Sequence, residues 1–237
     1  LFVNGSLTTT VSDLVLDGSS AGVTAGVGRK LTSAANLVVA AGSGFVRVTA
    51  PASWQAVGHI SIDTSVKVFG VGSFALAADS DNSGAGTLST AGMSVLGAGV
   101  DLISMSAADY SIGGAVQAGS ASLTLDASGA PGSTLVLGTN TGTGIELDNT
   151  ELSLLVTSAT LTLGGNGTHS FEVHAATYAG TAAVLQLQAL ASSIAVLRVD
   201  GVSSLTVPQA VLQARAGINI SAPLTVAGHL AADGARA

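Results

Sequence analysis

Short units in which two apolar residues flank a third position recur along the chain, the period of two expected of strands with one buried face. Leu14 and Leu16, Val46 and Val48, Ile60 and Ile62, Val66 and Val68, Phe74 and Leu76, and Leu123 and Leu125 open the series. Leu135 and Leu137, Ile145 and Leu147, Leu161 and Leu163, Phe171 and Val173, Leu185 and Leu187, Leu205 and Val207, and Ile218 and Ile220 continue it. Among these later units the spacing is roughly 10 to 16 residues. Between the units lie turn-forming clusters such as Asp17-Gly18-Ser19, Asp79-Ser80-Asp81-Asn82 and Gly164-Gly165-Asn166-Gly167, rich in residues that accept tight corners and positive φ. One segment competes for a helix: Val184, Leu187, Leu190, Ile194 and Leu197 would share a helical face, while Leu185 and Leu187 fit a strand.

Many short strands at near-even spacing suit either a β-sandwich or a solenoid. A sandwich calls for aromatic wedges and hairpin dipeptides such as Asn-Gly, and the chain has only two Asn-Gly steps, Asn4-Gly5 and Asn166-Gly167. Composition sharpens the choice: aromatic residues make up 3% and charged residues 9%, so Val, Leu, Ile and Ala must fill the interior. Stacked coils bury that palette in thin layers, each strand lying on its equivalent one coil away. The pattern therefore predicts an all-β fold, a right-handed parallel β-helix (β-solenoid) of roughly 8 to 11 coils. No shift in composition marks a linker, so residues 1–237 read as a single solenoid segment. Residues 1–6 lack the basic and apolar blocks of a signal peptide, and the segment reads as part of a longer secreted or surface protein.

The stretch from Leu135 to His174 carries a finer pattern: Leu135-Val136-Leu137-Gly138, then Ile145, Glu151-Leu152, Thr160-Leu161-Thr162-Leu163-Gly164 and Phe171-Glu172-Val173. It resembles the repeats of large filamentous-haemagglutinin-like exoproteins, in which an acidic-Leu pair precedes a Thr-Leu-x-Leu-Gly strand by about ten residues. Gly217-Ile218-Asn219-Ile220-Ser221-Ala222-Pro223-Leu224 is similar to a second repeating phrase of such rods. The resemblance covers about a quarter of the chain and implies an adhesin-type rod, extracellular or on the cell surface.

Charge and cysteine content exclude several chemistries. The seven Lys and Arg residues are spread from Arg29 to Arg236 in a chain of net charge −7, which leaves no basic stripe in the sequence for nucleic acid. There is no cysteine, hence no disulfide framework, thiolate metal site or thiol nucleophile. The uncharged stretch at residues 177–197 is interrupted by Gln186, Gln188, Ser192 and Ser193, so no transmembrane segment is expected.

Candidate sites each have a plainer reading. Gly18-Ser19-Ser20-Ala21-Gly22 follows a strand and matches a nucleophile elbow, but no helix or ordered Asp and His partners follow it. Asp79-Ser80-Asp81-Asn82-Ser83-Gly84 alternates oxygen ligands like a calcium loop, yet its twelfth position is Thr90 rather than the bidentate Glu; it reads as an Asx-rich turn. Gly164-Gly165-Asn166-Gly167-Thr168-His169 and Gly97-Ala98-Gly99-Val100-Asp101 echo calcium-binding nonapeptides without their tandem repetition. His59, His169, His174 and His229 are scattered, with only Glu172 close to a pair of them, so no metal site is expected.

A polysaccharide-cleaving or polysaccharide-binding β-helix is the enzymatic or lectin alternative. Its carboxylates would be drawn from Asp101, Asp109 and Asp126, or from Glu146, Asp148 and Glu151, although no basic partner sits at a matching offset. Thr139, Thr141 and Thr143, with Thr160 and Thr162, raise an ordered-water surface whose spacing is irregular. Asn4, Asn166 and Asn219 begin glycosylation sequons. The expectation is a non-catalytic structural rod with no catalytic, cofactor or metal residues, acting as spacer or adhesive stalk. Its partners would be neighbouring repeats, copies of itself in a filament or sheath, or a host-surface or glycan ligand.

Overall fold

The computed structural model describes residues 1–19, 22–96, 99–139 and 144–234. It is a parallel β-solenoid of about 10 coils. Every strand pairing among the described residues is parallel, and the pairs fall into three ladders that run along the coil axis. The first ladder stacks Leu7, Leu31, Trp54, Leu76, Met105, Leu125, Leu163, Leu187, Leu212 and Ala232 in register, one per coil. The second runs through Leu14–Asp17, Leu37–Ala40, Ile60–Ile62, Thr87–Thr90 and Asp109–Ile112, and is taken up again by Thr134–Gly138, Ser170–His174, Val196–Val199 and Gly217–Ile220. The third includes Val23–Ala25, Met93–Val95, Val116–Gly119 and Leu155–Thr157, then Thr177–Tyr178, Ser203–Leu205 and Leu224–Val226. Val46–Ala56 and Val66–Ala77 are long because each turns a corner from the third ladder into the first.

The strand assignments follow from alternation. Val46–Ala56 buries every second residue along its length, and Ser122–Ala127 and Val184–Ala189 do the same. The inward residues join one continuous apolar core from Val3 to Ala214. Inside it Trp54 and Phe74 meet edge to face, their ring centroids 5.1 Å apart. Corners are closed partly by side chains that reach one coil onward. Asp13 accepts the Asn36 backbone N–H at 2.9 Å, Asn36 accepts that of His59 at 2.9 Å, and His59 Nδ1 accepts that of Thr87 at 2.9 Å.

Of the two alternatives at residues 184–197, the strand is the one that forms. Residues 184–197 form no helix: Leu185, Leu187 and Ala189 point inward from a strand, and Ile194 is 79% exposed. Every residue of Val184–Ala189 has a ladder partner on both sides, which outweighs the helical periodicity. The helix that does form among the described residues is Asn149–Ser153, started by a capping box in which Asp148 accepts the Glu151 N–H at 2.8 Å and Glu151 accepts that of Asp148 at 3.3 Å. It belongs to an enlarged coil. Leu125 and Leu163 are paired although 38 residues apart, because Ile145–Asp148 adds an extra strand beside Thr134–Gly138 before the helix. The pairs at either end of the series are only partly covered: Leu14 and Ile218 are half-buried, and Ile220 is 45% exposed.

Close stacking sets a demand at Gly164. Its φ is +80° and a Cβ there would lie 2.0 Å from the Gln188 carbonyl oxygen of the next coil. Gly164→Ala is expected to lower stability by about 3 kcal/mol, read by urea denaturation; an unchanged midpoint would mean that the corner relaxes freely.

Candidate functional site

A solenoid offers chemistry only where outward rows or corners bring polar groups together, so each candidate is judged by its neighbours in adjacent coils. The calcium-like loop is organised around a buried carboxylate. Asp79 Oδ1 accepts from the Ser83 N–H at 2.9 Å and the Ser83 hydroxyl at 2.7 Å, while Oδ2 accepts from the Gly84 N–H at 2.9 Å and from the Ser128 hydroxyl two coils on. Burial pushes this carboxyl up, but the Ser128 and Ser83 hydroxyls and the Gly84 and Ala85 amides together hold it below its ordinary range. Thr90 faces the core, with Oγ1 accepting the Gly92 N–H at 3.1 Å. The loop is a hydrogen-bonded turn whose main carboxylate is fully engaged.

The second glycine-rich turn is built the same way. Asp126 accepts the Gly167 N–H at 2.9 Å and the Thr168 hydroxyl at 2.9 Å from the next coil. Burial dominates here and raises its carboxyl above the usual value, against the pull of those donors. Asp126 is thus separated in role from Asp101, which is exposed, and from Asp109.

Asp109 instead joins the other carboxylate set. Burial, with Glu146 adding repulsion, pushes Asp109 up; burial, with Asp148 and Asp109 adding repulsion, pushes Glu151 up. Glu151 nevertheless spends its oxygens on the Ile112 N–H at 3.0 Å and on the helix cap. None of Asp109, Asp148 and Glu151 has a cationic partner among the described residues, so the acid and base of a glycan-cleaving pair are not distinguished by their surroundings.

His174 lies between two carboxylates, Glu172 at 3.1 Å from Nε2 and Asp200 against Nδ1. The two acids take opposite ring nitrogens and do not converge on one point. Ser133 Oγ is 3.3 Å from His169 Nδ1, but its proton is directed at the Gly167 carbonyl. No group of three or more His, Asp or Glu side chains is placed to hold a metal among the described residues. Ser20 and Ala21 of the elbow motif, Gly97 and Ala98, and Thr141 and Thr143 lie outside the described residues; Ser19 is exposed in a turn held by Asp17. Thr160 pairs with Val184, and Thr162 with Gln186, so the Thr pair does not recur in the next coil. Asn4, Asn166 and Asn219 are all exposed.

Sequence reading missed the grouping of positive charge. Coiling sets Arg47 beside Lys67 on adjacent rungs. Arg47 rests over the Phe69 ring at 4.1 Å and Lys67 over the Phe45 ring at 4.0 Å. Arg29 and Lys30 sit at the corner leading from this ladder to the next, beside an open cavity of about 310 Å³. The signal in sequence was the coil step: Lys30 and Ser53 are paired, as are Ser53 and Ala75, and without that register the residues look scattered.

No helix among the described residues is long and apolar enough to cross a membrane. No family model, curated protein or solved structure matches the chain. The class defined by the fold and its surface is a parallel β-solenoid.

Proposed function

We propose that this chain is a rigid, non-catalytic rod of a secreted or cell-surface exoprotein of the filamentous-haemagglutinin-like kind, serving as a spacer or stalk. The observation that carries the reading is the unbroken core along about 10 coils, beside which Asp79 and Asp126 are spent on holding turns. Parallel rungs at about 4.8 Å spacing give a rod on the order of 45 Å long. A load along the axis falls on the ladders of backbone hydrogen bonds that join successive coils, which suits a spacer.

A second reading is lateral assembly into a filament or sheath. It is favoured by the outward rows of the first ladder, where Ser104, Thr124, Thr162, Gln186, Gln188 and Gln213 present uncharged side chains over several coils. Gln188 and Gln213 already bond to each other at 2.6 Å, as stacked amides do at packed sheet interfaces. Negative-stain electron microscopy over a range of concentrations separates the two. Short separate rods at every concentration are expected for a spacer; laterally associated fibres at high concentration would transfer the function to assembly, and compact globules would defeat both.

A further inference from the structure

We propose that the corner cavity beside Arg29 and Lys30 binds a carboxylate-bearing sugar, a uronate unit of an acidic polysaccharide. This goes beyond the supporting role of a rod. The cavity is formed where three successive coils present the same corner: Gly28, Arg29 and Lys30, then Pro51, Ala52 and Ser53, then Ser73 and Ala75. The stack is fixed by backbone bonds, Gly28 N–H to the Pro51 carbonyl at 2.7 Å and Ser53 N–H to the Arg29 carbonyl at 3.2 Å. Its volume of about 310 Å³ is at the lower end for small-molecule sites, enough for a sugar unit.

Charge points to an anion. Four of the seven cations of this acidic chain, Arg29, Lys30, Arg47 and Lys67, fall in its first 67 residues, and none of the four has an ion-pair partner among the described residues. Arg29 and Lys30 both line the cavity, and a bound carboxylate would take charge-assisted hydrogen bonds from their guanidinium and ammonium donors.

The rest of the lining selects the class. Pro51, Ala52 and Ala75 offer an apolar wall to the C–H face of a sugar ring, and the hydroxyls of Ser53 and Ser73 offer donors and acceptors to its hydroxyls. A peptide adding as a strand would need free backbone groups, and here the rungs on either side already pair with one another. Nucleic acid would need ring faces for its bases, and no aromatic residue lines the cavity.

The test is calorimetric titration of the purified chain with a short oligogalacturonide, its fully methyl-esterified form, a sulfated oligosaccharide and acetate. Binding of the acid form, weakened by added salt, is expected, with no binding of the ester. Arg29→Gln is expected to weaken it at least tenfold, and Ala75→Phe, which fills the cavity from an outward position, is expected to abolish it. Arg215→Gln should leave it unchanged, and circular dichroism reports whether each variant is folded. Equal binding of acid and ester, preference for the sulfated sugar, acetate binding as tightly as the oligomer, indifference to both cavity variants, or no binding would overturn the proposal. Rods in the microscope with no binding would remove this inference alone and leave the spacer reading standing.

Discussion

Trp54→Ala is expected to destabilise the solenoid by about 3 to 5 kcal/mol, with the damage concentrated in the coils around it. The indole is fully buried, in register between Leu31 of the preceding coil and Leu76 of the next, and packed edge to face on Phe74. Truncation leaves a void in a layer only one strand thick, where neither adjacent coil can close it without losing its own register. Because each coil touches only its neighbours, the coils nearest the void should open before the rest. Hydrogen exchange should show lost protection over Lys30–Ser33, Val46–Ala56 and Val66–Ala77 while Thr160–Gly165 and Val184–Ala189 keep theirs. Trp54→Phe should cost much less, about 1 to 2 kcal/mol, since Nε1 has no hydrogen-bond partner to lose. Uniform loss of protection along the whole chain would show that the coils unfold as one cooperative unit.

That contrast also explains what the sequence disclosed. Pairs such as Leu161 and Leu163, or Leu185 and Leu187, were legible because both inward positions are aliphatic, and both face the core. Leu31 with Ser33 and Leu155 with Thr157 also point inward but were missed, since a polar residue broke the pattern. Those hydroxyls are tolerated inside because they bond turn carbonyls, as Ser33 does to Asn36 at 2.8 Å and Thr157 to Ala121 at 2.6 Å. The Asp148 to Glu151 capping box was present in the sequence but was read as an acidic-Leu pair and as candidate carboxylates, not as a helix start. The partners of Asp79 and Asp126 lay out of reach: Ser128 and Thr168 are 49 and 42 residues away, and only coil register brings them together. The same holds for the cavity beside Arg29.

Asp79→Asn should cost about 2 to 3 kcal/mol at pH 7, the range for a buried group left facing the wrong partners. Each carboxylate oxygen accepts two donors, so an amide must turn its NH₂ toward N–H or O–H groups at one of them. The effect should depend on pH with a defined sign. The native state holds the Asp79 carboxyl below its ordinary value, so it favours the ionised form; the stabilisation is complete above the unfolded-state range near about 4 and fades as pH falls through the lower native value. Asp126 works the other way, because its raised value makes the native state take up a proton first and gain relative stability as pH falls through that value. The stability gap between the parent chain and Asp79→Asn, measured by urea denaturation, should therefore narrow from pH 7 to pH 3. In Asp126→Asn it should not narrow through loss of a favourable charge, since the parent gains there on acidification. A gap for Asp79→Asn that stays constant over that range would mean that the turn is held by its backbone alone and that the four donors find other acceptors.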